Sequence, residues 1–156
     1  MLRKVLDAFR SHPKAEAAED PVAAETPVTE YIEQVTEKTM STDISSLSEI
    51  AGFIGACLVD SDNGLMLAAE GGGKLDLEAA GAANTSVVKA KLAAIETLGL
   101  GDAIEDILIT LGKQYHLIRP LEANPNVFLY VALDKKTSNL GMARLQVKKV
   151  EATLEI

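Results

Sequence analysis

Apolar positions recur from about residue 41 onward at spacings that distinguish strands from helices. Residues 53–60 (FIGACLVD) form a short apolar run, and residues 65–70 form another after the turn sequence SDNG at 61–64. Asn-Gly tolerates the positive φ angles of a tight turn, so this pattern predicts a β-hairpin. Residues 76–98 have helical spacing, and Gly99 suits the left-handed residue that ends a helix. The chain therefore alternates strands and helices.

Three more strands and two more helices complete the predicted domain. The strands are expected at residues 103–112, 114–121 and 126–133, and the last is almost wholly apolar, which is typical of the centre of a sheet. A short helix is expected over residues 43–52, and a final one begins at about Ser138. The predicted order is helix, two strands, helix, three strands, helix. This order indicates an α/β domain built on a mainly antiparallel five-stranded sheet.

Residues 1–40 differ in composition from the rest of the chain. The first twelve residues carry a local charge of +2 and place four apolar residues at helical spacing: Leu2, Val5, Leu6 and Phe9. Such a tip could bind a membrane surface or a partner, or it could fold back or fray, because isolated helices this short are barely stable. Residues 13–37 carry a local charge of −6 and three prolines, which predicts a largely flexible linker. We therefore expect two regions, residues 1–40 and 41–156.

The overall composition excludes several classes of protein. The 156 residues carry a net charge of −8, which argues against nucleic acid as a main partner because phosphate binding needs clustered Lys and Arg. No apolar run approaches the roughly 18 residues that span a bilayer, and the first residues lack the apolar core of a secretory signal. A single cysteine, Cys57, excludes an internal disulfide and is typical of a reducing compartment. A cytoplasmic location is therefore expected.

No group of residues has the pattern of a catalytic or metal site. His12 and His116 have no second His or Cys at metal-ligand spacing, and Cys57 is predicted to be a buried apolar residue. The sequence GGGK at 71–74 lacks the spacing of a phosphate-binding loop. Three carboxylates near the hairpin are expected to cap turns rather than to bind a cation: Asp60, Asp62 and Glu70. We expect no enzymatic activity, no cofactor and no metal.

The middle helix is the most informative element. Its first half consists of unusually small residues over 79–83 (AAGAA), which allow a close approach to the sheet or to another copy of the helix. Its second half has more apolar residues than one buried stripe requires: Val87, Val88, Leu92, Ile95 and Leu98. Packing against the chain's own sheet accounts for part of this surface. Pairing of two such helices in a symmetric dimer would account for the remainder.

Several of these segments together resemble the roadblock-domain family. The segment Ile54–Asp60 followed by the turn DNG at 62–64 resembles the first hairpin of the family, and the Ala-rich middle helix matches as well. Residues 139–145 (NLGMARL) resemble the start of the last helix in bacterial members. The family includes dynein light chains, lysosomal scaffold subunits and bacterial MglB-type regulators of a Ras-like GTPase. The resemblance covers residues 41–156 and implies a three-layer roadblock (profilin-like) fold.

The resemblance also implies a homodimer in which the middle helices pair and the sheets join through the third strand. The implied dimer-interface residues are Ala79, Ala80, Ala83, Val87, Ile107, Ile109 and Leu111. An apolar edge strand left open would favour aggregation, so covering the third strand is physically reasonable. Family dimers use their helix-lined surface to bind a small GTPase or as an assembly platform. The residues expected to contact a partner here are Ala82, Thr85, Lys89 and Lys91.

These expectations lead to one functional hypothesis and two alternatives. The first is a non-enzymatic homodimeric regulator or scaffold of a small Ras-like GTPase. The second is a structural adaptor subunit of a larger assembly or membrane-surface complex, without a GTPase partner. A small-molecule sensor is a weaker third hypothesis, because the small side chains of the middle helix predict no cavity.

Overall fold

The structure is a computed structural model that describes residues 41–156. The predicted amphipathic tip and acidic linker, residues 1–40, lie outside the described residues. The described elements are a 3-10 helix at Ser45–Glu49, strands β1 to β5 and helices α1 and α2. The strands are β1 Phe53–Asp60, β2 Leu65–Gly71, β3 Ile107–Thr110, β4 Gln114–Pro120 and β5 Val127–Asp134. The helices are α1 Leu77–Leu98 and α2 Leu140–Glu151.

The five strands form one sheet in the order β2-β1-β5-β4-β3, and every neighbouring pair is antiparallel. Strand β5 lies at the centre, as its apolar sequence predicted, and all its residues from Val127 to Leu133 are buried. The edges of the sheet are β2 and β3. The α/β fold class and the predicted element order are therefore confirmed.

Each face of the sheet is covered by a helical layer. On one face, α2 and the 3-10 helix pack against alternate residues of the central strands, including Leu58, Leu129 and Val131. On the other face, α1 packs against the intervening residues, including Val59 and Tyr130. The alternation follows from the pleat of a strand, which points successive side chains to opposite faces. The result is three layers, helix on sheet on helix.

Two predicted elements differ from the structure. The segment expected to be a helix over residues 43–52 is a 3-10 helix of five residues, because its amides bond to carbonyls three residues back, as Leu47 does to Ile44 at 3.0 Å. The third strand is also shorter than the predicted residues 103–112. Just before β3, the carbonyl of Glu105 accepts a hydrogen bond from the Arg119 guanidinium at 3.1 Å instead of pairing with a strand.

Two glycines let neighbouring elements approach more closely than any side chain would allow. A Cβ at Gly81 in α1 would lie 2.9 Å from a methyl group of Val59 on the sheet. A Cβ at Gly55 in β1 would lie 2.7 Å from the backbone of Gly72, in the connection between β2 and α1. Both glycines therefore hold α1 and its connection close to β1.

Candidate functional site

The side of α1 that faces away from the sheet is lined by small residues. The residues that α1 buries are Leu77, Gly81, Asn84, Thr85 and Val88. On the opposite side the exposed residues repeat at alternating spacings of four and three, and none is larger than threonine: Ala79, Ala83, Ser86, Ala90, Ala93 and Thr97. We call these six residues the small face of α1. Spacings of four and three keep residues on one side of a helix, so the small face runs along α1 from its first turn to its last.

The predicted dimer-interface residues divide between the small face and the core. Ala79 and Ala83 belong to the small face. Ala80 and Val87 are half-buried and pack against the core between α1 and the sheet. The larger apolar residues of α1 therefore pack mainly in the chain's own core, and the exposed side of the helix carries small residues. The sequence prediction omitted the other four residues of the small face, although their spacing of four and three was the signal that locates them: Ser86, Ala90, Ala93 and Thr97.

The remaining predicted interface residues lie on or next to the edge strand β3. Ile107 and Ile109 are half-buried and point to the same side of the sheet as α1. Leu111 follows β3 and is 43% exposed. Strand β3 pairs only with β4 among the described strands, so one of its edges is open. An open edge presents unpaired amides and carbonyls that another strand can meet.

The predicted partner-binding residues of α1 do not lie together. Ala82 is exposed beside the small face, while Lys89 and Lys91 are exposed on its two flanks. The Nζ of Lys89 donates to the carbonyl of Asp62 at 3.3 Å, which holds this lysine over the turn between β1 and β2. Thr85 is a correction to the prediction. It is buried toward the sheet, and its hydroxyl donates to the Gly81 carbonyl at 3.0 Å, so it does not reach the surface of the described chain.

Of the three carboxylates near the hairpin, Asp60 caps the turn as predicted, whereas Glu70 lies within strand β2. One oxygen of Asp60 accepts from the amide of Asp62 at 2.8 Å, and the other accepts from the side-chain amide of Asn63 at 3.2 Å. Asp62 accepts in turn from the side chain of Asn126 at 3.3 Å, which ties this turn to the connection between β4 and β5. Among residues 41–156, no group of three or more potential metal ligands is close enough to hold an ion.

Three titratable side chains lie within the sheet beneath α1: Cys57, His116 and Tyr130. Burial raises the pKa of the Cys57 thiol to about 12, and its Sγ lies 3.7 Å from the Leu77 carbonyl. The thiol is fully buried, as the sequence predicted. Burial lowers the pKa of His116. Its Nε2 lies 2.9 Å from the side-chain oxygen of Gln114, and its Nδ1 lies 3.3 Å from the hydroxyl of Tyr130. Burial also raises the pKa of Tyr130 to about 12.

No helix of the described residues is long and apolar enough to cross a bilayer. No protein-family model matches the chain, and no curated protein is significantly similar to it in sequence.

Solved structures with similar folds do exist. MglB of Myxococcus xanthus superposes with a TM-score of 0.61 at 21% identity, covering 69% of this chain and 78% of that one. A Roadblock/LC7 domain from Streptomyces avermitilis gives 0.60 at 15% identity, covering 72% and 94%. The gliding protein MglB of Thermus thermophilus gives 0.55 at 16% identity, covering 86% and 93%. At these identities the likeness concerns the fold, and the fold of the described chain is that of a roadblock domain, as its sequence motifs implied.

Proposed function

We propose that the chain is a non-enzymatic homodimeric regulator or scaffold of a small Ras-like GTPase, which it binds through the helix-lined face of the dimer. The observation that carries the proposal is that the small face of α1 and the open edge of β3 belong to one protomer. The small face allows two helices to approach closely, and the open edge of β3 can pair with the same edge of another copy to extend the sheet. Ile107 and Ile109 of β3 lie on the same side of the sheet as α1, so a second copy joined at the β3 edge would bring its own α1 to that side as well.

The fold supports the GTPase part of the proposal. The family that the sequence resembles includes MglB-type regulators of a Ras-like GTPase, and one similar structure is described as MglB with a tetrameric arrangement. Ala82, Lys89 and Lys91 are exposed beside the small face, and the two lysines supply positive charge on a chain whose net charge is −8. We propose that the partner contacts Ala82, Lys89 and Lys91, and we leave out Thr85 because it is buried. We place the function in the cytoplasm, since the single cysteine can form no internal disulfide.

A regulator of this kind acts by binding one nucleotide state of its partner better than the other. Binding can shift the conformational equilibrium of a GTPase only by the difference in affinity for its two states. A scaffold binds both states equally and leaves the nucleotide cycle unchanged. The ratio of affinities for the two nucleotide forms therefore separates a regulator from a scaffold, and the adaptor hypothesis predicts no binding to either form.

Light scattering of the purified chain tests the dimer. The chain mass is 16.6 kDa, and we expect twice that mass in solution. Ala83→Glu places a charged side chain on the small face and should yield the monomer mass, because pairing would bury that charge without a partner. Ala51→Glu makes the same change at an exposed position outside α1 and should leave the dimer intact. A monomeric wild-type chain, or an intact Ala83→Glu dimer, would contradict the proposed interface.

Titration with a candidate Ras-like GTPase tests the partner. We expect tighter binding to the GTPase loaded with a non-hydrolysable GTP analogue than to its GDP form. The double variant Lys89→Glu and Lys91→Glu should weaken binding, while the control Lys136→Glu and Lys149→Glu changes the net charge equally at other exposed positions. Equal affinity for both nucleotide forms would favour a scaffold over a regulator, and binding to neither form would favour the adaptor without a GTPase partner. Equal weakening by both double variants would exclude the proposed contact residues.

A further inference from the structure

A trough lies at one end of the sheet, away from the small face of α1. Its first part is a cavity of about 500 Å³ between the segment before β3 and the connection from β4 to β5. A second concavity of about 360 Å³ adjoins it, since Glu122 and Lys148 line both. The sequence predicted no cavity beside the middle helix. The structure forms one at the sheet end, where residues distant in sequence meet.

The wall of the trough is largely apolar. In the first cavity, Leu92 of α1 faces side chains from the two connecting segments, which include Ala103, Ile104, Leu121 and Pro125. In the adjoining concavity, Ala152 and Leu154 continue this surface beyond the end of α2. A single cavity of 300 to 1,000 Å³ suits one compact ligand, as a general rule. Two adjoining concavities suit a longer occupant that places side chains in both.

The rim of the trough is acidic. Asp102, Glu105 and Glu122 line the first cavity and are exposed, and no ion pair within residues 41–156 involves any of them. Arg119 also lines the cavity, but its guanidinium pairs with Glu151, and both side chains are only 11% exposed. The Arg119 charge is therefore compensated from within the chain.

Lys148 is the one remaining cation among the described residues that line the trough. Three carboxylates without ion-pair partners in residues 41–156 thus surround an apolar wall, and the balance at the rim is negative. A cationic occupant would gain from these carboxylates both in attraction and in orientation.

We propose that this trough binds a basic peptide segment of a partner protein, one that carries apolar side chains between its Lys and Arg residues. The apolar side chains enter the two concavities, and the basic side chains meet the rim carboxylates. The site is separate from the small face, so the chain can hold such a segment whether or not the proposed GTPase regulation is correct.

Fluorescence anisotropy with a labelled peptide tests the proposal on the intact chain. The probe is the amphipathic peptide LRKLLRKL, and its counterpart SRKSSRKS has the same charge without apolar side chains. We expect saturable binding of the leucine peptide at one peptide per chain. Because exposed charge pairs contribute modestly, the double variant Glu105→Gln and Glu122→Gln should weaken it by about 3- to 10-fold. The control Glu49→Gln and Glu78→Gln removes the same charge at distant exposed positions and should weaken it less than about 2-fold.

Filling the cavity tests the apolar wall independently of charge. Ala103 is exposed and lines the cavity, so Ala103→Trp should occupy the site and abolish binding while the far-UV spectrum and urea midpoint stay unchanged. Absence of saturable binding by the wild-type chain would overturn the proposal. So would equal weakening by both double variants, because the attraction would then be a general effect of net charge. Equal binding of the serine peptide would also overturn it, since the rim would then bind small polycations without any use of the apolar wall.

Discussion

The close contact between Gly55 and Gly72 makes Gly55 a position where even the smallest side-chain addition should be damaging. A Cβ at Gly55 would lie 2.7 Å from both the Cα and the amide nitrogen of Gly72, and 3.2 Å from a methyl group of Leu77. Gly72 cannot retreat freely. Its amide donates to the Ile54 carbonyl at 2.9 Å, and its carbonyl accepts from Leu75 at 2.7 Å. Gly55→Ala must therefore displace backbone that is already held by hydrogen bonds.

The expected loss follows from two destabilising terms and one that opposes them. Forcing an extra carbon into a packed site typically costs about 1–3 kcal/mol. Weakening one backbone hydrogen bond costs about another 0.5–1.5 kcal/mol. Alanine makes the unfolded chain less flexible than glycine does, which stabilises the folded chain by about 0.4–1 kcal/mol. These terms sum to roughly 0.5–4 kcal/mol, and we expect Gly55→Ala to lower the free energy of unfolding by about 2 kcal/mol, near the middle of that range.

The matched control is Gly112→Ala. Gly112 has no atom within 4 Å of the added Cβ and does not have a positive φ. The same chemical change should there stabilise the chain by about 0.4–1 kcal/mol, through the unfolded state alone.

Urea unfolding followed by far-UV circular dichroism measures both variants. Protein concentration must be equal throughout, because association would make the midpoint depend on concentration. With a slope of about 2 kcal/mol per molar urea, Gly55→Ala should lower the midpoint by roughly 1 M. If Gly55→Ala and Gly112→Ala unfold at the same urea concentration, the proposed steric role of Gly55 is wrong.

Three further predictions concern buried polar groups. Burial lowers the pKa of His116 from 6.5, so the unfolded chain binds more protons than the folded chain below that pH. The free energy of unfolding should therefore fall as the pH is lowered from 7 to 5. His116→Gln should make the urea midpoint less dependent on pH in this range. The Cys57 thiol, with its pKa raised to about 12, should react with a disulfide reagent at pH 8 at least about 100-fold more slowly in the folded chain than in urea, and rapid native reaction would contradict its burial. Because the thiol of the unfolded chain ionises first, the stability that Cys57 contributes should be lost as the pH rises from 9.0, its ordinary pKa, to about 12. Glu151→Gln leaves the mostly buried guanidinium of Arg119 without its carboxylate partner and should cost about 2 kcal/mol. Asp106→Asn breaks a more exposed pair and should cost under about 1 kcal/mol. Equal losses in urea unfolding would refute the distinction.

The elements that the sequence predicted well are those whose structure depends on neighbouring residues. The hairpin of β1 and β2 follows from two apolar runs around an Asn-Gly turn, and β5 follows from its uninterrupted apolar run. The predicted start of β3 was wrong because it depends on a distant residue. The guanidinium of Arg119 on β4 donates a hydrogen bond to the carbonyl of Glu105, and the residues next to Glu105 in the sequence do not indicate this contact.

The candidate sites also differ in whether neighbouring or distant residues form them. The small face of α1 lies on one helix at regular spacing, so its first residues could be identified from the sequence. Thr85 was misplaced, because a helix with small residues on most sides has little hydrophobic contrast to show which side is buried. The trough was not foreseen, since its wall combines residues of α1, two connecting segments and the end of α2.

The small face and the β3 edge have different roles in the proposed dimer. Alanine side chains bury little apolar area, so two paired small faces would contribute little hydrophobic stabilisation by themselves. Their small size instead allows the helices to approach closely enough for the strand edges to meet. A four-residue edge strand is equally weak alone, because a short strand makes few hydrogen bonds. The dimer should therefore need both contacts at once. A charge on the small face separates the strands as well as the helices, which is why the single change Ala83→Glu should be enough to produce the monomer.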